Sequence, residues 1–107
     1  MLYRFKSQAT ADLIMLEHDA KRLLTLWGKD PEASGVLLVE HMDAAAAALV
    51  AEADREEAAV AQAKAEAEAA DEPRPDVPQV AWRARIQPML QHLKYCQAEN
   101  APMRWER

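Results

Sequence analysis

The sequence predicts a mainly helical α+β domain, with three principal helices, the last two as an antiparallel hairpin, and a small sheet formed by the two chain termini. Three observations carry this. Alanine is abundant while glycine contributes two residues and aromatics 6% of the chain, a balance that favours helices over a sandwich or barrel. Apolar residues recur at helical spacing in three stretches, at about 19–28, 40–71 and 77–98. Both ends of the chain instead alternate apolar with charged residues, the period of a strand.

At the start, "LYRFKS" points Tyr3 and Phe5 one way and Arg4 and Lys6 the other. At the end, "MRWE" sets Met103 and Trp105 against Arg104 and Glu106. Either segment alone is too short to persist, so the two are expected to pair, in a direction the sequence leaves open, with Arg4 or Lys6 near Glu106. Between them, Ser7 is placed to cap a short helical piece through "QATADLIML", although its four consecutive apolar residues suit a strand equally. Asp19 reads as the N-cap of the first helix, whose Ala20, Leu23, Leu24 and Trp27 fall at i, i+3, i+4 and i+7 before Gly28 stops it. "DPEASG" reads as a loop, and Val36 to Val39 as a buried connector.

The second helix is expected over 40–71, about 48 Å at 1.5 Å per residue. A compact chain of this size has a radius of gyration of about 13 Å, so this helix outruns its own domain. Met42, Ala45, Ala46 and Leu49 make a stripe, but Val60 is the only large apolar residue from Ala51 to Ala70. Residues 52–76 therefore read as an alanine- and acid-rich arm with a proline turn, within a single domain spanning 1–107. Its distal half either stands in solvent, packs closely on another alanine face, or frays. The prolines of "DEPRPDVP" end it. Asp76 is then expected to cap the last helix, with Pro78 in its first turn and Gln79 as reciprocal cap. Trp82, Ile86, Met89, Leu90, Leu93 and Cys96 form its apolar stripe, which Pro88 should bend.

Charge is unevenly spread. Residues 40–72 hold ten acids against two bases, a net −8 within a chain of −5. Phosphate binding needs a concentrated basic face, so nucleic acid is not the expected partner. The longest runs of large apolar residues, "LIML" and "VLLV", are four residues, far below the roughly 20 that cross a bilayer. With no signal peptide in "MLYRFKSQATADLIML" and a single cysteine, the reading is a cytoplasmic protein with no membrane association.

The segments "MLYRFKS", "ADLIML", "RLLTLWGK", "GVLL", "RARIQPMLQHLK" and "MRWE" together resemble a family of small, mainly proteobacterial proteins catalogued as a domain of unknown function. The resemblance spans the chain, strongest at its ends. It implies a bacterial, cytosolic protein and carries no activity or catalytic residue.

Chemistry is sparse. His92 and Cys96 at i, i+4 face one way, but zinc needs further ligands at suitable spacing, and a nucleophilic site needs a third group. Cys96 is expected to pack as a small hydrophobe. Carboxylate pairs such as Glu56–Glu57 lie on a polar helix, and no glycine-rich loop cradles a phosphate. No cofactor, metal or small-molecule ligand is expected. The leading reading is a non-enzymatic module that binds a protein partner or a second copy of itself, using Glu52, Glu56, Glu57 and Val60 of the arm, with Trp105 as an anchor. The alternative is a small enzyme or ligand carrier with a site near His92 and Cys96.

Overall fold

The computed structural model describes residues 1–107. Strands β1 (Leu2–Ser7) and β2 (Thr10–Leu16) lead into helix α1 (Glu17–Leu26). Strand β3 (Gly35–Leu37) and a 3-10 turn then enter helix α2 (Met42–Ala69), followed by α3 (Trp82–Arg85), α4 (Gln87–Ala98) and strand β4 (Met103–Glu106). The sheet is antiparallel throughout, in the order β2-β1-β4-β3.

The termini pair as expected. Arg4 lies opposite Glu106, Phe5 opposite Trp105 and Lys6 opposite Arg104, with the Lys6 ammonium 2.8 Å from Glu106. Alternation sends Tyr3, Phe5, Met15, Leu37, Met103 and Trp105 to one face, where they meet the helices. On that side α1 supplies Ala20, Leu23 and Leu24, α2 supplies Met42, Ala45, Leu49 and Ala53, and the last two helices supply Trp82, Ile86, Met89, Leu93 and Cys96. The buried Trp82 and the half-buried Trp27 have partners for their N–H groups: Trp82 donates to the Leu49 carbonyl (3.2 Å) and Trp27 to that of Ala45 (3.0 Å).

Several elements depart from the sequence reading, each for a physical reason. Residues 10–16 are a strand, because a tight turn lets them pair with β1; Ser7 serves that turn, accepting the Ala9 N–H at 3.2 Å. The same pairing carries α1 back to Glu17, leaving Asp19 in its first turn, 3.1 Å from Arg85. Val36 is exposed on a third strand that the sequence left as a buried connector. Helix α2 starts at Met42 after the 3-10 turn Val39–His41 and ends at Ala69, inside the expected 40–71. The last helix does not begin at 77. Pro73, Pro75 and Pro78 hold the chain extended, and the residue before each proline is pushed out of the helical region. The cap is supplied from elsewhere: the Glu56 carboxylate accepts the Trp82 N–H at 2.9 Å. The expected bend is present, as a break at Ile86 between α3 and α4, where Pro88 cannot bond the Ala84 carbonyl.

All three long helices stop in one way. Gly28, Asp71 and Asn100 take positive φ, and the following N–H bonds the carbonyl five residues back, at Leu24, Ala67 and Cys96.

Helix α2 is about 42 Å long, and it stretches the molecule to 53 × 27 × 22 Å with a radius of gyration of 16.2 Å. Its first half runs antiparallel to the last two helices. Gln97 meets Asp43 at one end of the pair, and Arg83 meets Asp54 and Glu57 at the other. Beyond Glu57 the helix leaves the body, covered on one side by the returning segment 72–81, which buries Ala67. Ala53 is buried and Glu52 and Glu56 bond the body, so the arm begins beyond Glu57. Replacing residues 60–78 by a short Gly/Ser linker should therefore leave a body that unfolds cooperatively, with its midpoint moved by less than ~1 kcal/mol equivalent. Urea unfolding followed by tryptophan fluorescence checks this.

Candidate functional site

The acids singled out at the root of the arm come together, and the chain's own arginines hold them. The Arg22 guanidinium lies 3.2 Å from Glu52 and 3.3 Å from Glu56, and rests over the Trp82 ring at 4.2 Å. Arg83 donates to Glu57 at 2.7 Å and also reaches Asp54, holding the Glu57 carboxyl below its ordinary range. Glu52, Glu56 and Glu57 thus tie α2 to α1 and α3. Val60 is half-buried beside them, in an open depression of about 340 Å³ shared with Pro78 and Ala81. Trp105 is elsewhere. It sits on the inner face of the sheet, 3% exposed, its indole N–H given to the Ala33 carbonyl at 3.2 Å, and its ring packs at 6.3 Å from Phe5 and from Trp27. That placement corrects the anchor expected at the chain end: alternation points Trp105 to the core, with Met103.

His92 and Cys96 share the buried face of α4. His92 is 4% exposed and its Nε2 has no hydrogen-bond partner; no three metal-ligating side chains converge anywhere in the chain. Burial lowers the pKa of this imidazole, with Asp12 opposing weakly, so the folded protein favours it neutral. The unfolded chain binds the proton more readily, so the titration of His92 costs no stability above the ordinary value of 6.5 and costs progressively more as pH falls below it. His92→Leu removes the titration and the orphaned polar atom. Between about pH 6.5 and 5 its unfolding free energy should fall less than that of the natural chain, read from urea midpoints at each pH.

The sequence reading missed the sheet's other face. All helices pack on the inner side, leaving Leu2, Ile14 and Leu16 at 48%, 48% and 64% exposure on the outer one. Register makes them neighbours: Leu2 is opposite Leu16, and Ile14 opposite Arg4. Beside this apolar group lie Arg4, Lys6 and Arg104, with Glu106 among them and the exposed Asp12 on β2 two residues before Ile14. The Glu106 carboxyl is held low by its bond to Lys6 and by the fields of Lys6, Arg104 and Arg4. One signal was available: the alternation that sent Tyr3 and Phe5 inward also sent Leu2 outward with the two cations, and a strand at 10–16 would have placed Ile14 and Leu16 with it.

No helix is long and apolar enough to cross a membrane. No curated protein and no solved structure matches the chain. A family model described as Domain of unknown function (DUF1840) matches residues 1–105, and the chain belongs to that family.

Proposed function

We propose that this DUF1840 protein is a non-enzymatic protein-binding module whose partner docks on the outer face of the sheet. One observation carries the reading: Leu2, Ile14 and Leu16 are large, exposed and contiguous on a face that no element of the chain covers, with cations beside them. Scattered exposed apolar residues are ordinary; a contiguous group rimmed by charge is the pattern of an interaction surface. The acids at the arm's root serve a different purpose in this reading. They fix the arm to the body, and their arginines leave them little charge to offer a partner.

The test is Ile14→Glu in the full chain. Ile14 is half-exposed, so the fold should persist with a stability change within ~0.5 kcal/mol. Tagged natural and variant chains are recovered from the cells that make them, and co-purifying proteins are quantified by mass spectrometry. The reading expects proteins enriched by the natural chain to disappear with the variant. An identical set from both would overturn it.

A further inference from the structure

We propose that the occupant of the open sheet face is the acidic tip of the arm of a second copy of this chain. The inference rests on the protein-binding reading above and adds the partner.

Charge is separated along this molecule. At the arm's root every acid meets an arginine, but farther out the carboxylates form no ion pair, although Lys64 and Arg74 line one depression with Glu68 and Glu72. Glu66 meets only the Gln62 amide, at 2.8 Å, and no ion pair in the chain includes Glu66, Glu68, Asp71 or Glu72. Residues 58–76 hold five acids against Lys64 and Arg74. The sheet face is the reverse. Arg4 and Arg104 enter no ion pair, and Lys6 shares Glu106 with them. Two sets of unpaired charge, opposite in sign, stand on different parts of one chain.

The arm cannot satisfy its own sheet. Its root is bolted by Arg22 and Arg83 to the helical layer, which lies against the inner face, so the outer face points away from it. Nor does the face suit itself. Two copies meeting face to face would bring together two surfaces that each hold Arg4, Lys6 and Arg104 against Glu106 and Asp12, and their like net charge opposes association. The arm tip of another copy matches in charge, and also in apolar content and in size. Val77 on its returning segment is 47% exposed, available to cover Leu2, Ile14 and Leu16. The helical part beyond Glu57 is about 18 Å long, enough to cross four strands spaced about 4.8 Å apart.

The contact joins two different patches, so it closes as a reciprocal dimer or a ring, or propagates as an open chain. Exposed charge pairs set its encounter rate and make it weaken as salt is added.

Solution mass of the full chain, by sedimentation up to millimolar protein at about 20 mM and about 500 mM salt, tests this. Two variants accompany it: Arg4→Glu with Arg104→Glu on the face, and Glu66→Lys with Glu68→Lys on the arm. All four positions are exposed, and circular dichroism and melting verify the fold. The natural chain should exceed monomer mass at low salt and return to it at high salt. Each variant alone should stay monomeric. Their equimolar mixture should regain association, because each retains the patch the other lost. A natural chain that stays monomeric at low salt would overturn the inference, as would association indifferent to salt or unchanged in either variant. Binding of the monomer to phosphatidylserine vesicles instead would overturn it too. If the chain is monomeric yet Ile14→Glu still strips a different protein from it, the second copy is excluded and the protein-binding reading stands; if neither effect is seen, both fall.

Discussion

Trp82→Ala should lower stability by about 3–5 kcal/mol, the largest loss expected of any single truncation in this chain. Trp82 has no exposed surface and starts α3 at the point where the arm's root joins the body. Its ring fills the space between α2 and the last two helices, its N–H bonds the Leu49 carbonyl, and Arg22 rests on its outer face while reaching Glu52 and Glu56. Truncation thus opens a cavity and removes the platform that holds Arg22 against the arm. Trp82→Phe separates these effects. It retains most of the volume and a ring for Arg22, loses the hydrogen bond, and should cost much less than the alanine variant. Urea denaturation of the three proteins checks the order; an alanine variant within 1 kcal/mol of the natural chain would mean that α2 and α3 are not held together here.

Gly35→Ala should cost about 1–3 kcal/mol for the addition of one methyl group. Gly35 lies opposite Trp105 in the β3–β4 ladder. A Cβ built there falls 2.8 Å from Cε2 of the indole and closer still to Cζ2, inside any real contact. The indole has little freedom to yield. Its N–H is fixed on the Ala33 carbonyl and its ring is packed between Phe5 and Trp27. Either β3 detaches from the sheet or Trp105 leaves its place. Trp105→Leu makes room for the methyl group, so the glycine change should cost less in that background, a coupling that a double-mutant cycle measures. Equal costs in both backgrounds would place the strain elsewhere.

The parts of the fold legible in the sequence were those where local pattern and tertiary environment agree. Period-two alternation at both ends located the terminal strands, and Gly28 marked the end of α1 because only a residue tolerant of positive φ suits that cap. The long alanine helix was legible from propensity alone, and the chain's small apolar content there explains why it leaves the body. Three features were not legible because distant residues decide them. "TADLIML" suits helix or strand, and β1 selects strand. β3 is three residues long and exists only because β4 arrives beside it from the other end of the chain. The start of α3 depends on Glu56, 26 residues earlier, rather than on Asp76.

The candidate surface was hidden for a similar reason. The acids of the arm drew attention by number, yet Glu52, Glu56 and Glu57 are consumed by Arg22 and Arg83 from other elements. The outer sheet face assembles from residues of β1, β2 and β4 that are unremarkable singly. No window of sequence contains it.

A photo-crosslinking amino acid placed at position 14, with position 91 as control, tests the docking role of that face most directly. Both side chains are exposed, but Gln91 lies on α4, on the helical side of the sheet. In living cells, illumination should give a discrete protein adduct at position 14, identified by mass spectrometry, and none at position 91. A peptide of residues 58–81 in that adduct would identify the arm of a second copy, and another protein would identify a different partner on the same face. Equal, diffuse labelling at both positions would contradict the account.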